Sequence, residues 1–389
     1  MARNYDVVVF GSTGYTGRLV AEHLLKTYGA NGPVKWAMAG RSQVKLEEVR
    51  AEIGAPASVP LVVADSDDAA SLAAMAEQTK AVITTAGPYQ LYGDGVVAAC
   101  AKAGTDYVDL TGESNWIADK MRDHDAEAKA SGARLVFSCG FDSIPFDVGV
   151  YFAQEEAKKQ FGAYAPRVRA RIRGLRGGIS GGTLASGIAT QAAIEKDPAV
   201  VGVLMNPFAL TPGFTGPEQP DATTPYEDKV AGSWVGPFMM AAINTKAVHR
   251  DNFLLGHRWG KDFKYDEMTM TAGPQASAGP GFDMGGDMPR PGEGPTRKER
   301  EEGFYDILFI AEYPDGRTFR ANCQGDMDPG YGSTSKMLAE AALALVQDVP
   351  RTQTPGGCWS PAAAMGDALI ARLPKRAGVT FNVEQARDK

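Results

Sequence analysis

Short apolar runs alternate with longer amphipathic stretches over the first third of the chain. Asp6-Val7-Val8-Val9-Phe10 is apolar without alternation, as a strand buried on both faces requires. A helical spacing follows from about Tyr15 to Tyr28, and Gly29 is a fitting stop. Val34–Ala39 and Pro60–Ala64 read as the second and third strands, with Leu46, Val49 and Ile53 at helical spacing between them. Asp67–Gln78 reads as a helix capped by Ser66 or Asp67. Ala81–Thr85, Tyr107–Leu110 and Arg134–Ser138 read as further strands, separated by helices near Val96–Ala103 and Asn115–Ser131. Repeated strand–helix alternation of this kind predicts an α/β fold with a doubly wound parallel sheet.

The pattern changes after Ser138. Cys139-Gly140-Phe141-Asp142-Ser143-Ile144-Pro145 is a tight segment that leads into a helix near Val148–Lys159. Arg167–Arg173 alternates like a strand, a glycine-rich loop spans Gly174–Gly182, and a helix starts near Thr183. Pro207–Pro237 mixes Pro and Gly with apolar residues, and Gly273–Pro295 reads as a long loop or lid. Tyr305–Tyr313 and Thr318–Cys323 flank Pro314-Asp315-Gly316, which is hairpin turn chemistry. Helical spacing returns at Lys336–Gln347 and Pro361–Leu373. The expected organisation is a Rossmann domain over residues 1–145, a second α+β mixed-sheet domain over 146–330, and C-terminal helices over 331–389 that pack back on the first.

Composition narrows the partners. The chain has 389 residues, enough for two domains, and a net charge of -7, which gives no reason to expect nucleic acid. Cys100, Cys139, Cys323 and Cys358 are widely spaced and form no metal-ligand pattern, so neither disulfides nor a metal are expected, and a cytoplasmic location is. The N-terminus runs straight into a strand, and no apolar run has the length of a transmembrane segment.

The sharpest chemical signal follows the first strand. In Gly11-Ser12-Thr13-Gly14-Tyr15-Thr16-Gly17, the first glycine permits the turn, the second lets backbone approach a pyrophosphate, and the third allows close helix packing. The amides of the helix that follows suit phosphate. Spaced glycines are weak alone; the strand before and the helix after make them a dinucleotide fingerprint. The second strand ends in Ala39-Gly40-Arg41-Ser42, with no carboxylate for a ribose hydroxyl and a guanidinium suited to a phosphate fork. NADP is therefore the expected cofactor, with Arg41 and Ser42 on its 2′-phosphate. Asp65 and Ser66 would flank the adenine, while Ala86, Gly87 and Pro88 would run beside the nicotinamide half, with Tyr89 next to them.

These residues, together with Asp109-Leu110-Thr111-Gly112-Glu113, Cys139–Pro145, Ser180-Gly181-Gly182-Thr183, Asp326–Gly332 and Gly356–Pro361, resemble the saccharopine-dehydrogenase-like oxidoreductases, and most of all their bacterial trans-acting enoyl reductase branch. The resemblance spans nearly the whole chain. It implies a Rossmann domain, a mixed-sheet second domain, a cofactor between them, and reduction of a double bond in a polyketide-derived lipid.

Such a reduction needs a proton source besides the cofactor. Asp142 and Ser143 leave the C-terminal end of a strand, where α/β sheets place ligands, so they either cap the next helix or serve the chemistry. Tyr89 and Tyr331 are further candidate donors. His23, His124, His249 and His257 stand alone, and Asp326 and Asp328 look like loop caps rather than cation ligands. Apolar stretches Val200–Phe214 and Trp234–Ile243 would line an acyl tunnel, fill a core, or form a homodimer interface. Three readings stand: an NADPH-dependent C=C reductase of an acyl substrate, a C=N reductase of an amino-acid imine, and a non-catalytic NADP-binding scaffold. The second would need cations for substrate carboxylates, which Arg167, Arg169, Arg171 and Arg173 on one strand face would supply unless that face is merely solvated.

Overall fold

The computed structural model describes residues 3–273, 289–290 and 292–384, so most of the expected Gly273–Pro295 lid lies outside the described residues. In chain order the strands are β1 Tyr5–Phe10, β2 Trp36–Gly40, β3 Leu61–Val63, β4 Thr79–Thr84, β5 Asp106–Val108, β6 Arg134–Val136, β7 Arg167–Arg176, β8 Tyr226–Asp228, β9 Ser233–Pro237, β10 Lys264–Thr271, β11 Phe304–Glu312, β12 Thr318–Gly325, β13 Gly357–Trp359 and β14 Val379–Val383.

The first sheet runs β13-β6-β5-β4-β1-β2-β3 and every pairing in it is parallel. Parallel strands must be covered on both faces, and the apolar runs of β1, β2 and β4 are accordingly buried along most of their length. Helices Ala69–Gln78, Asp94–Ala103 and Ser114–Ser131 cover one face; helix Tyr15–Tyr28 covers the other beside helix Thr334–Gln347. The cap of helix Ala69–Gln78 is Asp68, whose carboxylate accepts the Ala70 amide, rather than Ser66 or Asp67. Strand β13 adds a member that sequence pattern did not predict, because it is three residues long and pairs across a gap of more than two hundred positions.

The second sheet runs β14-β12-β11-β7-β10-β9-β8 and is mixed: β7 and β10 are parallel and the other pairs antiparallel. Helix Ile144–Phe161 lies on it so closely that a Cβ on Gly149 would stand 2.3 Å from the Phe309 ring. Helix Pro361–Arg376 packs against this helix and against Thr334–Gln347. One apolar cluster therefore runs from Val7 and Ile83 of the first sheet through Leu338 and Leu369 to Val168 and Phe309 of the second. The two sheets share a core. Among the described residues, no helix is long and apolar enough to cross a membrane.

Candidate active site

Each loop at the C-terminal edge of the parallel sheet is locked by its own hydrogen bonds. Gly11 has φ +88°, and a Cβ there would meet Thr85 Oγ1 at 2.8 Å; a Cβ on Gly17 would meet the Gly11 carbonyl oxygen at 2.2 Å. These two glycines are demanded by the chain itself. Gly14 and Gly87 are not: a Cβ on either would meet nothing closer than 3.3 Å and 3.5 Å, respectively. Their small size leaves room for something outside the chain. Helix Tyr15–Tyr28 opens at Gly14 with no side-chain cap, so its first amides have no side-chain acceptor at the cap. The turn thus fits a pyrophosphate, and Gly14 is the glycine there that the chain itself does not demand.

The side chains of the turn divide differently from expectation. Thr13 is exposed and Thr16 half-buried. Ser12 is fully buried; its hydroxyl donates to the Val9 carbonyl at 2.6 Å and accepts the Ala39 amide, and its own amide donates to the Ala39 carbonyl at 3.1 Å, so it braces β1 to β2. The Tyr15 hydroxyl donates to the Pro295 carbonyl and accepts from Arg300 Nη1 at 2.9 Å, and its ring stands edge-on to Tyr331. Tyr15 is therefore a clamp on residues 292–300 rather than a phosphate ligand by its side chain.

Beyond β2, Arg41 is exposed and makes no ion pair among the described residues. Ser42 caps helix Gln43–Glu52 by accepting the Lys45 amide, which leaves its hydroxyl proton free. Asp65 accepts the Asp67 amide at 3.2 Å, and Ser66 lies half-buried beside it. A free guanidinium and a hydroxyl at the end of β2 suit a 2′-phosphate.

The loops after β5 and β6 form the other half. Asp109 is fully enclosed and accepts from the Ser138 amide at 2.8 Å, the Thr111 amide at 3.1 Å and the Tyr107 hydroxyl at 2.8 Å. Burial pushes its carboxyl up to about 7 although these donors pull the other way. It ties the two loops together, and Ser138 is held at φ 64°, a region that side chains rarely adopt.

Asp142 and Ser143 follow this brace. Helix Ile144–Phe161 starts here with no side-chain cap, so the capping role open to either residue is not taken. Asp142 Oδ1 and the fully buried Ser143 hydroxyl have no hydrogen-bond partner among the described residues. Burial alone pushes the Asp142 carboxyl up to about 7. An acid raised toward neutrality beside an unpartnered hydroxyl is the kind of pair that could move a proton.

The two tyrosines are placed otherwise. The Tyr89 hydroxyl points into the sheet edge, donating to the Thr84 carbonyl at 3.0 Å and accepting the Leu110 amide. Tyr331 Oη accepts the Ser180 amide at 2.5 Å and bonds Thr183 Oγ1 at 2.6 Å. Burial raises both phenols above their ordinary range. Both hydroxyls are engaged within the chain, Tyr89 with the Thr84 carbonyl and the Leu110 amide and Tyr331 with Ser180 and Thr183.

Sequence reasoning missed Glu113 as a site residue. Its carboxylate, 4% exposed, accepts the Tyr89 amide and the Ser186 hydroxyl on Oε1 and the Gln90 amide on Oε2. The motif that contains it was visible; nothing local shows that it caps a helix 24 positions earlier.

The remaining candidates lie elsewhere. His249 is stacked on Phe208 at 4.4 Å between ring centroids and is pushed by burial to about 3, a neutral core residue. His23 is buried against Glu340, His124 lies near Glu127, and His257 stacks on Phe214. Asp328 caps the turn at Tyr331 and Gly332, and Asp326 lies near Lys336. All four cysteines are buried and free. The four alternating arginines Arg167, Arg169, Arg171 and Arg173 of β7 do not form a bare solvated face. Arg171 is fully buried between Asp228 and Asp266, Arg169 pairs with Asp228 and Glu312, Arg167 with Asp266 and Glu312, and Arg173 with Asp306 and Glu384.

Comparison with known proteins agrees with this geometry. Residues 7–136 match the family model of the saccharopine dehydrogenase NADP binding domain. A Mycobacterium tuberculosis protein named as a candidate trans-acting enoyl reductase is 37% identical over 413 residues, covering 97% of each chain. The trans-acting enoyl reductase of Mycobacterium ulcerans is 36% identical over 408 residues, covering 96% of each. Among solved structures, the apo saccharopine dehydrogenase (L-Glu forming) of Saccharomyces cerevisiae superposes with a TM-score of 0.55 at 13% identity, covering 98% of this chain and all of that one, a likeness of fold alone. The chain belongs to the trans-acting enoyl reductase family of NADP-dependent, saccharopine-dehydrogenase-like oxidoreductases.

Proposed function

We propose that the protein reduces the C=C bond of an enoyl thioester with NADPH. The observation that carries this over imine reduction is the pairing of all five β7 arginines with carboxylates of the chain. An amino-acid imine brings carboxylates that must be neutralised in the site; these cations are already engaged, whereas an enoyl thioester asks only for a hydrogen bond to its carbonyl and one proton.

The glycine turn and the helix start at Gly14 would hold the pyrophosphate, and Arg41 with Ser42 the 2′-phosphate. NADPH held there would supply the hydride that the β-carbon takes up. Asp142, protonated below about 7, gives its proton to the α-carbon and regains one from solvent. The Ser143 hydroxyl, which has no partner in the chain, donates to the thioester carbonyl as charge builds there. Tyr89 and Tyr331 fix the loops. An apolar acyl chain is the substrate class that exposed Ile188, Val201, Met205 and Met239 support, since side chains at 72%, 42%, 74% and 70% exposure have little protein to pack on.

Only the acid form of Asp142 can give the proton. The turnover rate with an enoyl thioester is therefore expected to be flat below pH 7 and to fall about tenfold per unit above it, and Asp142→Asn to lower kcat roughly a hundredfold or more while leaving NADPH affinity unchanged. A pH-independent rate together with full activity of the variant would remove Asp142 from the mechanism.

A further inference from the structure

Helix Gly181–Lys196 rests on the Rossmann edge by its polar face. Apart from Gly181 none of its residues is buried. What holds it is a line of side-chain hydrogen bonds. Thr183 Oγ1 bonds Tyr331 Oη at 2.6 Å, Ser186 Oγ donates to Glu113 Oε1 at 2.9 Å, and Gln90 Nε2 donates to Thr190 Oγ1 at 3.1 Å. Positions 183, 186 and 190 fall on one stripe of a helix. Two of the three bonds end on residues bonded to each other, since Glu113 also accepts the Gln90 amide at 2.7 Å. Asn115 Nδ2 in turn donates to Gln90 Oε1 at 2.8 Å and fixes which way that side chain points.

Glu113 is the hub of this arrangement. Among the described residues it forms no ion pair, so a nearly buried carboxylate is sustained by three donated hydrogen bonds alone: the Tyr89 amide, the Gln90 amide and the Ser186 hydroxyl. The first two set the turn that follows Ala86-Gly87-Pro88; the third belongs to the helix above it. A carboxylate is required rather than an amide, because it alone accepts on both oxygens. A glutamine would turn a donor N–H toward one of the backbone amides.

We propose that Glu113 is a positioning residue that couples the Ala86–Gln90 turn of the cofactor site to helix Gly181–Lys196, so that the helix stands over the nicotinamide end of the cleft when that turn is ordered around cofactor. The inference rests on the reading of the cleft as the NADPH site. Its test does not depend on turnover.

Amide hydrogen exchange of the full chain, with and without saturating NADPH, reads the coupling directly. In the parent, exchange of residues 181–196 is expected to slow when NADPH binds. Ser186→Ala cuts only the arm to the helix. It is expected to speed exchange there about tenfold, as loss of a hydrogen bond to a charged acceptor implies, while exchange of the parallel sheet and NADPH affinity stay within about threefold of the parent's. Ser186→Thr, which keeps the hydroxyl, should restore protection. Glu113→Gln should speed exchange both in the helix and at Tyr89–Tyr92. If the enzyme is active on enoyl thioesters, Ser186→Ala lowers kcat with little change in the KM for NADPH. Parental exchange of 181–196 in both Ser186→Ala and Glu113→Gln would overturn the proposal. Loss of protection with no enoyl turnover in the parent would sustain the coupling and reject the proposed reaction instead.

Discussion

Replacing Gly17 by alanine is expected to weaken NADPH binding at least a hundredfold and to lower the melting temperature, whereas replacing Gly14 is expected to weaken binding comparably with little loss of stability. The difference follows from what a methyl group would meet. At Gly17 it lies 2.2 Å from the Gly11 carbonyl oxygen and 2.6 Å from Thr85 Oγ1, and the first of these is backbone that cannot rotate away. Helix Tyr15–Tyr28 must withdraw from the turn, which spoils both the packing and the phosphate-binding amides at its start. At Gly14 the nearest atom is 3.3 Å off, which a shift of a few tenths of an ångström relieves, so the protein tolerates the methyl and only a pyrophosphate drawn against the backbone does not. A hundredfold in affinity corresponds to about 2.7 kcal/mol. Calorimetric titration with NADPH and thermal unfolding of the two variants separate the effects. Parental affinity in Gly14→Ala would place the cofactor elsewhere.

Arg171→Ala is expected to lower the unfolding free energy by about 3 kcal/mol, measured by urea denaturation with an unchanged slope. Arg171 Nε stands 2.8 Å from Asp228 Oδ2 and Nη2 2.7 Å from Asp266 Oδ2, and all three side chains are essentially buried. Removing the cation strands two carboxylates. The cost falls at the lower end of the usual range for a broken buried pair, because Asp228 keeps Arg169 at 3.4 Å and Asp266 keeps Arg167 at 3.1 Å. A loss below 1 kcal/mol would mean that the ladder is dispensable, and would return its guanidiniums to the pool of residues able to meet a substrate carboxylate.

The same ladder explains what could and could not be read in the sequence. The parallel sheet was legible because β1, β2 and β4 are apolar on both faces, a pattern that needs no knowledge of neighbours. Strand β10, Lys-Tyr-Asp-Glu-Met-Thr-Met-Thr, escaped notice because Asp266 and Glu267 are buried on opposite faces in the middle of a sheet. Asp266 becomes tolerable only through arginines a hundred residues away, and Glu267 only through Asn244 and Tyr265. The cofactor turn was legible because steric rules fix its glycines. The side-chain roles around it were not. Whether a hydroxyl such as those of Ser12, Tyr89 or Tyr331 faces a ligand or the protein depends on partners that only the fold supplies. Asp142 and Ser143 were ambiguous for the same reason: only the fold shows that neither side chain caps the helix that follows.

The most direct test of the central claim is the consumption of NADPH and of NADH with an enoyl thioester, product identified by mass, for the parent and for Arg41→Ala. The account predicts a saturated thioester formed in step with NADPH oxidation, a much slower reaction with NADH, and loss of that preference in Arg41→Ala through weaker NADPH binding alone. Equal use of the two cofactors by the parent, or reduction of amino-acid imines with no turnover of enoyl thioesters, would contradict it.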